Sequence, residues 1–490
     1  MTSLRITPDN RSGAAALLRR GLEWTARYWY VVLPLMFLAA ALPALGARPY
    51  RFEEGRRVAQ VIAFFDGGSW LRLEIFGESY VNKPPLLPWL IALTARVTGQ
   101  LNEFSARLPS VIALLATVVT AGLMAARAST RRPHLAALAA GAFVMAAPIT
   151  ISRIRLAETD ATATAFAAAT FLIWALARLR RGGEVDFVSW CGIAFCCAAA
   201  LLAKGPPPLL FPLLPMILIP LAEKRWRQLL ALVLALAASS LPLAGWLVVN
   251  LDVASVQHLS SEMRLRPSGL SGIAGYLGKL PMLVVAGLLQ FFPGILAALV
   301  WIAGKSAWNL KSGWLNHALF LFAVPVSVLM LFWPTSEARY LMPAVWPLSV
   351  MAGMMVASSW DRVGMPALLA ATLALFVVVE GVYIAREGHT PKQVEERHMA
   401  NSLVAAVKPL PAEPILIWAG EKPNYNLYVY MLRNVVLVSG ETLACKPDSF
   451  YLLAEDSRVE QVNPLVWSKL ATLDGTGTTL YQRRTGASGC

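Results

Sequence analysis

Long apolar segments separated by short polar ones run along most of this 490-residue chain. The hydrocarbon core of a bilayer is about 30 Å thick, so a helix of about 20 mostly apolar residues can cross it. The pattern predicts eleven spans, at about 28–46, 105–127, 134–151, 161–178, 187–203, 206–222, 229–250, 281–303, 315–333, 341–358 and 365–384. A further apolar run, Pro84–Val97, either adds spans or lies in the membrane interface. We therefore expect an all-α polytopic membrane protein with about 11–13 transmembrane helices.

Basic residues are concentrated on one side of this predicted bundle. They precede the first span and recur at alternate connections, at Arg5, Arg11, Arg19, Arg20, Arg27, Arg127, Arg131, Arg132, Arg178, Arg180, Arg181, Lys224, Arg225, Arg227, Lys305, Lys311 and Arg362. Such residues collect on the cytoplasmic side, so we expect a cytoplasmic N-terminus in a bacterial inner membrane. We expect no cleavable signal peptide, because no small-residue cleavage site stands out after the first apolar run.

Composition supports a membrane protein and argues against a nucleic-acid partner. The chain is 57% hydrophobic and 15% charged, whereas soluble domains carry about 25% charged residues. The net charge of +14 is explained by the basic connections. The five cysteines lack metal-finger spacing, and Cys445 and Cys490 could pair only if the polar tail lies outside the cell.

The tail after the last span changes character. An odd number of spans places it on the outer side. Short β-type runs at Ile415–Ala419, Val435–Ser439, Phe450–Leu453 and Thr479–Gln482 accompany helical stretches near Met399–Val407 and Asn424–Leu432. The chain thus divides into a cytoplasmic segment (1–27), a membrane domain (28–384) with a long first outer loop (47–104), and a small α/β periplasmic domain (385–490).

Acidic and basic residues gather on the predicted outer side. A carboxylate at Glu53 or Glu54 could act as a general base, or the two could be a solvated pair. Lys83 precedes a double proline and could bind a lipid phosphate, or simply extend its ammonium to the interface.

Three further residues stand at the outer ends of predicted spans. Asp160 begins a span just after Glu158, and a carboxylate at the hydrocarbon edge usually has a partner. Lys204 closes one span before a proline-rich hairpin and could hold a phosphate or reach the interface. Tyr340 fits an aromatic belt on its own.

The order of these segments carries more information than any one of them. The pattern EEGRR, GESYVNKPPLLPWL, NEFSARLPS, RLAETDA, LAKGP and ARYLMPAVWPL resembles the bacterial aminoarabinose transferase and protein O-mannosyltransferase superfamily. These are polytopic glycosyltransferases of the C-type (GT-C) fold, typically with a C-terminal extracytoplasmic domain. The resemblance covers about residues 30–360.

The resemblance implies a role for each matching position. Glu53 is similar to the family's presumed base, although the family usually has Asp-Glu where this chain has Glu53-Glu54, and Asp160 to its second acidic residue. The positions similar to residues that meet the donor phosphate or lie over the donor are Arg56, Tyr80, Lys83, Lys204, Tyr340 and, by a weaker alignment, Arg264 or Arg266. Aminoarabinose transferases usually have Glu before the lysine of the loop, where this chain has Asn82.

The implied activity is transfer of a sugar, with inversion, from a polyprenyl-phosphate carrier to an acceptor on the periplasmic face, by a monomer. Lipid A or another lipopolysaccharide component is the favoured acceptor; proteins, other glycans and lipids stay open, as does an aminoarabinose, hexose or uronic acid donor. No cofactor is established and a divalent metal is possible, since His258 and Glu262 form at most half a site. The alternatives are a transporter or flippase of lipid-linked sugars and a glycan polymerase or ligase that uses diphosphate carriers.

Overall fold

The computed structural model describes residues 9–250, 278, 281–282, 284–303, 313–331, 337–362, 364–411, 415–420, 423–433, 435–438, 451–473 and 475–484. Arg264, Arg266, the pair His258 and Glu262, and the cysteines Cys445 and Cys490 lie outside these residues, as does part of the span predicted at 281–303.

Helices dominate the membrane domain. In chain order they are α1 (Asp9–Arg27), α2 (Trp29–Ala41), α3 (Glu54–Phe65), α4 (Leu86–Thr98), α5 (Glu103–Ala128), α6 (Pro133–Ala146), α7 (Pro148–Arg153), α8 (Thr159–Arg180), α9 (Phe187–Lys204), α10 (Leu210–Ala222), α11 (Trp226–Asn250), α12 (Gly294–Ala303), α13 (Gly313–Leu331), α14 (Met342–Ser358) and α15 (Met365–Arg386). Short 3-10 turns, Pro207–Leu209 and Ala338–Leu341, precede α10 and α14. Among the described residues, seven helices are long and apolar enough to cross a membrane, and five more are apolar but shorter. The predicted polytopic helical fold is confirmed.

Small residues let the central helices approach closely. Helix α6 is alanine-rich and almost entirely buried, and it packs against α5 and α14. A Cβ on Gly353 of α14 would lie 2.5 Å from the carbonyl oxygen of Ala136, so glycine is required at that crossing. Around it, Phe171 and Phe322 stack at 5.1 Å between ring centroids, and Trp346 packs against both. In lipid the hydrophobic effect does not drive helices together, so van der Waals contacts from close packing stabilise their association.

The long first outer loop is folded. After α2 it contains α3, a minimal hairpin of β1 (Glu74–Ile75) and β2 (Glu78–Ser79), and α4. The sequence did not predict α3, whose twelve residues are too short and too charged to be recognised as a span. Helix α4 is the apolar run whose placement was left open.

The tail forms the expected α/β unit. After α16 (Pro391–Val407), a five-stranded sheet has the order β4 (Val435–Leu437), β3 (Ile415–Trp418), β5 (Tyr451–Glu455), β7 (Thr478–Arg483) and β6 (Trp467–Leu473). Strands β4, β3 and β5 are parallel to one another. Strand β7 pairs antiparallel with both β5 and β6. Two four-residue helices, α17 (Tyr425–Tyr428) and α18 (Asp456–Val459), lie in the connections. Strand β6 was not predicted, because polar residues interrupt its alternation.

The tail and the first outer loop share one apolar core. Val58 and Ile62 of α3 and Leu87 of α4 belong to the same buried cluster as Ile415 and Leu427 of the tail. The backbone N–H of Leu437 also donates to the carbonyl of Phe76 at 3.0 Å. The sheet is therefore docked on the loop that carries the first candidate residues.

Candidate functional site

The start of α3 is fixed by a buried ion pair. The guanidinium of Arg107, from α5, donates to the two carboxylate oxygens of Glu54 at 2.8 and 3.0 Å. The same guanidinium donates to the carbonyls of Leu45, Arg48 and Pro49. The backbone N–H of Ala157 donates to Glu54 at 2.9 Å. One carboxylate thus joins the first outer loop, α5 and the turn that leads into α8.

This geometry does not support the catalytic role predicted for Glu54. Its side chain is fully buried and both oxygens accept hydrogen bonds. Burial alone would raise the pKa of this carboxyl, but Arg107, Arg48 and the Ala157 N–H outweigh it and leave the pKa below its usual range. Glu54 therefore stays ionised and occupied, while Glu53, one residue earlier, faces a cavity.

That cavity collects most of the predicted site residues. Its volume is about 160 Å³. Its lining comes from the first outer loop, the starts of α8 and α14 and the end of α9: Glu53, Arg56, Arg57, Tyr80, Asn82, Lys83, Ala157, Glu158, Thr159, Asp160, Lys204, Arg339 and Tyr340. Of the predicted residues that the structure describes, all but Glu54 line it. Segments up to 287 positions apart in the chain, from Glu53 to Tyr340, therefore meet at one place.

Glu53 is the most accessible carboxylate of the cavity. Its side chain is 37% exposed, against 6% for Asp160 and 4% for Glu158. Arg56 lies 3.2 Å from a carboxylate oxygen of Glu53, and Arg57 lies 3.8 Å away. The two guanidinium groups hold the carboxylate at the rim, where a second molecule can reach it.

Asp160 and Lys204 form the inner pair of the cavity. They are in direct ion-pair contact, and both side chains are nearly buried. The Lys204 ammonium lies 4.4 Å from the centre of the Tyr340 ring, a cation–π distance. The partner expected for a carboxylate at the hydrocarbon edge is therefore Lys204, delivered by the C-terminal turn of α9.

Two more cations and a phenol complete the opposite wall. Arg57 donates to the hydroxyl of Tyr80 at 3.1 Å. Burial, with the repulsion of Lys204 and Arg57, lowers the pKa of Lys83 from the ordinary lysine value. The repulsion among Lys83, Lys204 and Arg57 favours the binding of an anionic ligand, because the ligand's negative charge would offset it.

Glu158 is a buried acid of the cavity with one oxygen that lacks a hydrogen-bond partner among the described residues. Arg153 binds one oxygen at 2.6 Å, whereas Oε2 is buried without a partner among the described residues. Burial raises the pKa of Glu158; Arg153 opposes that effect and the charge of Asp160 adds to it. Glu158 therefore takes up a proton at a higher pH than an ordinary glutamate.

The structure also contains an apolar groove. It has a volume of about 420 Å³, and its walls come from α12, α13, α14 and the segment before α12. Leu341, which adjoins Tyr340, lines this groove, as do Leu348 and Met351, about two and three turns further along the chain. The linings of the polar cavity and of the apolar groove thus include consecutive residues of the chain.

The tail reaches the site through one helix. Tyr425, at the start of α17, stacks under the guanidinium of Arg56, with the Cζ atom 5.0 Å from the ring centre. The side chain of Asn426 accepts from the N–H of Gly55 at 2.9 Å and donates to the carbonyl of Phe52 at 3.1 Å. The turn that presents Glu53 is therefore clamped by the tail.

Sequence reasoning did not assign site roles to four residues that bear on this geometry. Arg57 and Arg339 line the cavity beside assigned neighbours, and their spacing from Glu53 and Tyr340 could have suggested them. Arg107 and Tyr425 act from a distant helix and from the tail, and nothing local in the sequence signals their contacts. In the described part of the chain, no three His, Cys, Asp or Glu side chains form a group that could hold a metal ion.

Comparison with known proteins finds similarity to the superfamily that the motif order resembles. Residues 82–246 match the model of the dolichyl-phosphate-mannose-protein mannosyltransferase family. An undecaprenyl phosphate-alpha-4-amino-4-deoxy-L-arabinose arabinosyl transferase from Pseudomonas fluorescens is 24% identical over 379 residues, which is 72% of this chain and 65% of the relative. A Pseudomonas aeruginosa protein of the same name is 26% identical over 61% of this chain and 54% of its own length. The matches span from 31% to 65% of the length of such relatives.

Solved structures show the shared fold. ArnT from Cupriavidus metallidurans bound to undecaprenyl phosphate superposes with a TM-score of 0.69 at 16% identity, covering 94% of this chain and 98% of that one. The archaeal oligosaccharyltransferase AglB from Archaeoglobus fulgidus gives 0.55 at 12% identity, covering 94% and 74%. The C-type fold that the sequence pattern predicted is confirmed.

Proposed function

We propose that this chain, which has the fold and the motif order of the aminoarabinose transferase and protein O-mannosyltransferase superfamily, is a membrane glycosyltransferase. It moves a sugar from a polyprenyl-phosphate carrier to an acceptor at the membrane surface. Its relatives carry the name of an arabinosyl transferase, and one structural neighbour was solved with undecaprenyl phosphate.

The observation that carries the proposal is that a cationic cavity and an apolar groove are lined by consecutive residues, Tyr340 and Leu341. A polyprenyl phosphate has the same two parts, an anionic head and a long apolar tail. With the head among Arg56, Lys83 and Lys204, the tail can leave along the groove into the membrane. A nucleotide-sugar donor would have no use for the groove.

The reaction is a displacement at the anomeric carbon. Glu53 takes the proton of the acceptor hydroxyl while the hydroxyl oxygen forms a bond to the anomeric carbon. The bond from the carbon to the phosphate oxygen breaks, and its electron pair leaves with the polyprenyl phosphate. Attack from the opposite face inverts the anomeric centre. The cations of the cavity stabilise the leaving phosphate in a partly dehydrated site, where such contacts are worth more than in water.

Glu53 is favoured over Asp160 as the base by accessibility. Asp160 is buried and bound to Lys204, so its charge holds that ammonium in place. Glu53 lies at the rim, with a side chain 37% exposed, where an incoming acceptor can reach it. Asp160 is therefore a positioning residue for Lys204, and Glu54 is one for Glu53.

The finer assignments belong to the same proposal. The site faces the periplasm, the N-terminus is cytoplasmic, and the acceptor is lipid A or another lipopolysaccharide component. Asn82, at a position where aminoarabinose transferases usually have Glu, leaves the sugar open between aminoarabinose, a hexose and a uronic acid. We propose that the protein acts as a monomer.

The test is an assay of the purified protein in nanodiscs with a panel of polyprenyl-phosphate sugars, with and without lipid A, followed by mass spectrometry. The expected result is an acceptor heavier by one sugar and a released polyprenyl monophosphate, with both products lost in Glu53→Gln. Release of a diphosphate carrier would instead indicate a polymerase or ligase. Movement of an unconsumed donor across the membrane would indicate a flippase.

A further inference from the structure

A second charged cavity lies at the other end of the bundle. It has a volume of about 530 Å³ and is formed where α5, α8 and α10 end and α13 begins. Helix α8 starts at the candidate site with Asp160 and reaches this cavity with Arg178. At 1.5 Å per residue, these two positions are about 27 Å apart along the helix. The second cavity is thus separate from the proposed reaction site.

Cations dominate its lining. Four arginines, Arg127, Arg178, Arg180 and Arg225, face one acid, Glu223. Glu223 is shared by Arg178 and Arg225, each at 2.7 Å, and Arg225 also binds Glu184. Among the described residues, no ion pair involves Arg127 or Arg180, and the side chains of both are exposed. Two positive charges therefore stand at the mouth without an acidic partner there.

Arg178 is an unusual arginine at the floor of this cavity. Its side chain is completely buried between the rings of Trp174 and Trp314, with Cζ 5.1 and 4.9 Å from the ring centres. Its Nη2 binds Glu223, while Nε and Nη1 have no hydrogen-bond partner among the described residues. Buried donors are nearly always paired, so these two N–H groups call for an acceptor that the described part of the chain does not provide.

We propose that this cavity binds the phosphate group of an anionic ligand, with an acidic phospholipid headgroup as one source and free phosphate as the other. Arg178 has N–H donors at the floor without a partner among the described residues, and a charged donor of this kind suits a phosphate oxygen. Arg127 and Arg180 attract the anion at the mouth. Basic pockets between the ends of transmembrane helices suit the headgroups of acidic lipids. This inference does not depend on the proposed transfer reaction.

The experiment is native mass spectrometry of the detergent-solubilised full chain, titrated with phosphatidylglycerol, with phosphatidylcholine or with inorganic phosphate. The test variant is the double substitution Arg127→Gln and Arg180→Gln, which leaves the buried Arg178 pair intact. The control is Arg131→Gln with Arg227→Gln, which removes the same charge from exposed positions outside the lining.

The expected result is saturable binding of phosphatidylglycerol over phosphatidylcholine, weakened roughly 30-fold in the test variant and little changed in the control. Competition by millimolar phosphate would identify free phosphate as a sufficient ligand, and its failure would identify the lipid headgroup. Equal weakening in both variants, or equal binding of the two lipids with no binding of phosphate, would overturn the proposal. Since the readout is binding, failure of the transferase assay leaves this test unaffected.

Discussion

Arg107 grips both carboxylate oxygens of Glu54, the residue directly after the proposed base Glu53. The two adjacent glutamates therefore have opposite surroundings: Glu54 is buried and ion-paired, whereas Glu53 lies at the rim of the cavity. This contrast gives the first prediction. Glu54→Gln leaves the Arg107 charge buried without a counterion, and breaking such a pair costs about 3–5 kcal/mol of stability. Glu53→Gln removes activity but not stability.

The measurement is thermal unfolding of both variants in detergent beside the transfer assay. A Glu54→Gln protein as stable as the parent would contradict the anchoring role. A Glu53→Gln protein with near-normal turnover would remove Glu53 from the role of base.

The inner pair is expected to act as a unit. Lys204→Ala removes a cation that we propose stabilises the leaving phosphate, and it should lower kcat about 10²–10³-fold. Asp160→Asn should lower it less, because the ammonium remains but is no longer held. With Lys204 gone, losing Asp160 should add little, so a double-mutant cycle should show strong coupling. Additive effects would mean that Asp160 has a separate role, such as that of a base.

The pH dependence of donor binding should depend on Lys83. Its pKa lies below the ordinary lysine value of 10.5, so the ammonium loses its proton, and the phosphate loses a partner, at a lower pH than free lysine would. Donor affinity should therefore fall as the pH rises through that lowered pKa. In Lys83→Arg, whose guanidinium keeps its proton, the fall should disappear. The check is donor binding measured from neutral to alkaline pH; identical profiles for the two proteins would contradict it.

Tyr425 should influence transfer although it lies in the tail. Its ring supports Arg56, and a cation–π contact is worth about 0.5–2 kcal/mol. Tyr425→Ala should weaken donor binding by roughly 2- to 30-fold without unfolding the protein, while Tyr425→Phe keeps the ring and should stay close to the parent. Equal losses in the two variants would point to the hydroxyl rather than the stack.

Gly55 offers a test of the clamp itself. A Cβ there would lie 2.6 Å from the backbone of Tyr425 and Asn426, and backbone cannot move aside cheaply. Gly55→Ala should therefore loosen the tail from α3, increase proteolytic cleavage of the tail and reduce activity. The control is Gly245→Ala in α11, where a Cβ meets open space. Unchanged protease resistance of Gly55→Ala would contradict the clamp.

The sequence was most informative where a physical property repeats along it. Most spans were predicted to within a few residues, such as 105–127 for Glu103–Ala128, because the bilayer imposes length and apolarity together. The strands Ile415–Trp418 and Tyr451–Glu455 were found for a similar reason, since buried parallel strands are continuous apolar runs.

What the sequence could not supply were contacts between distant segments. The pattern of Glu53-Glu54 gives no sign that one of the two is sealed by Arg107, 53 positions from Glu54. Motif order brought Lys83, Asp160 and Lys204 under one hypothesis, but only the folded chain places Tyr425 under Arg56. Helix α3 was missed because its amphipathic face is buried by the tail rather than by lipid.

The docking of the tail on α3 also has a consequence in time. The first outer loop leaves the ribosome long before residues 415–438 are synthesised. Phe76 and Gly55 therefore lack their partners Leu437 and Asn426 while the spans enter the membrane. The nascent protein can therefore hold its helices in the bilayer before the clamp between the tail and α3 has formed. The turn that presents Glu53 would thus reach its final position late in biogenesis, once the tail has been synthesised and has docked on the first outer loop.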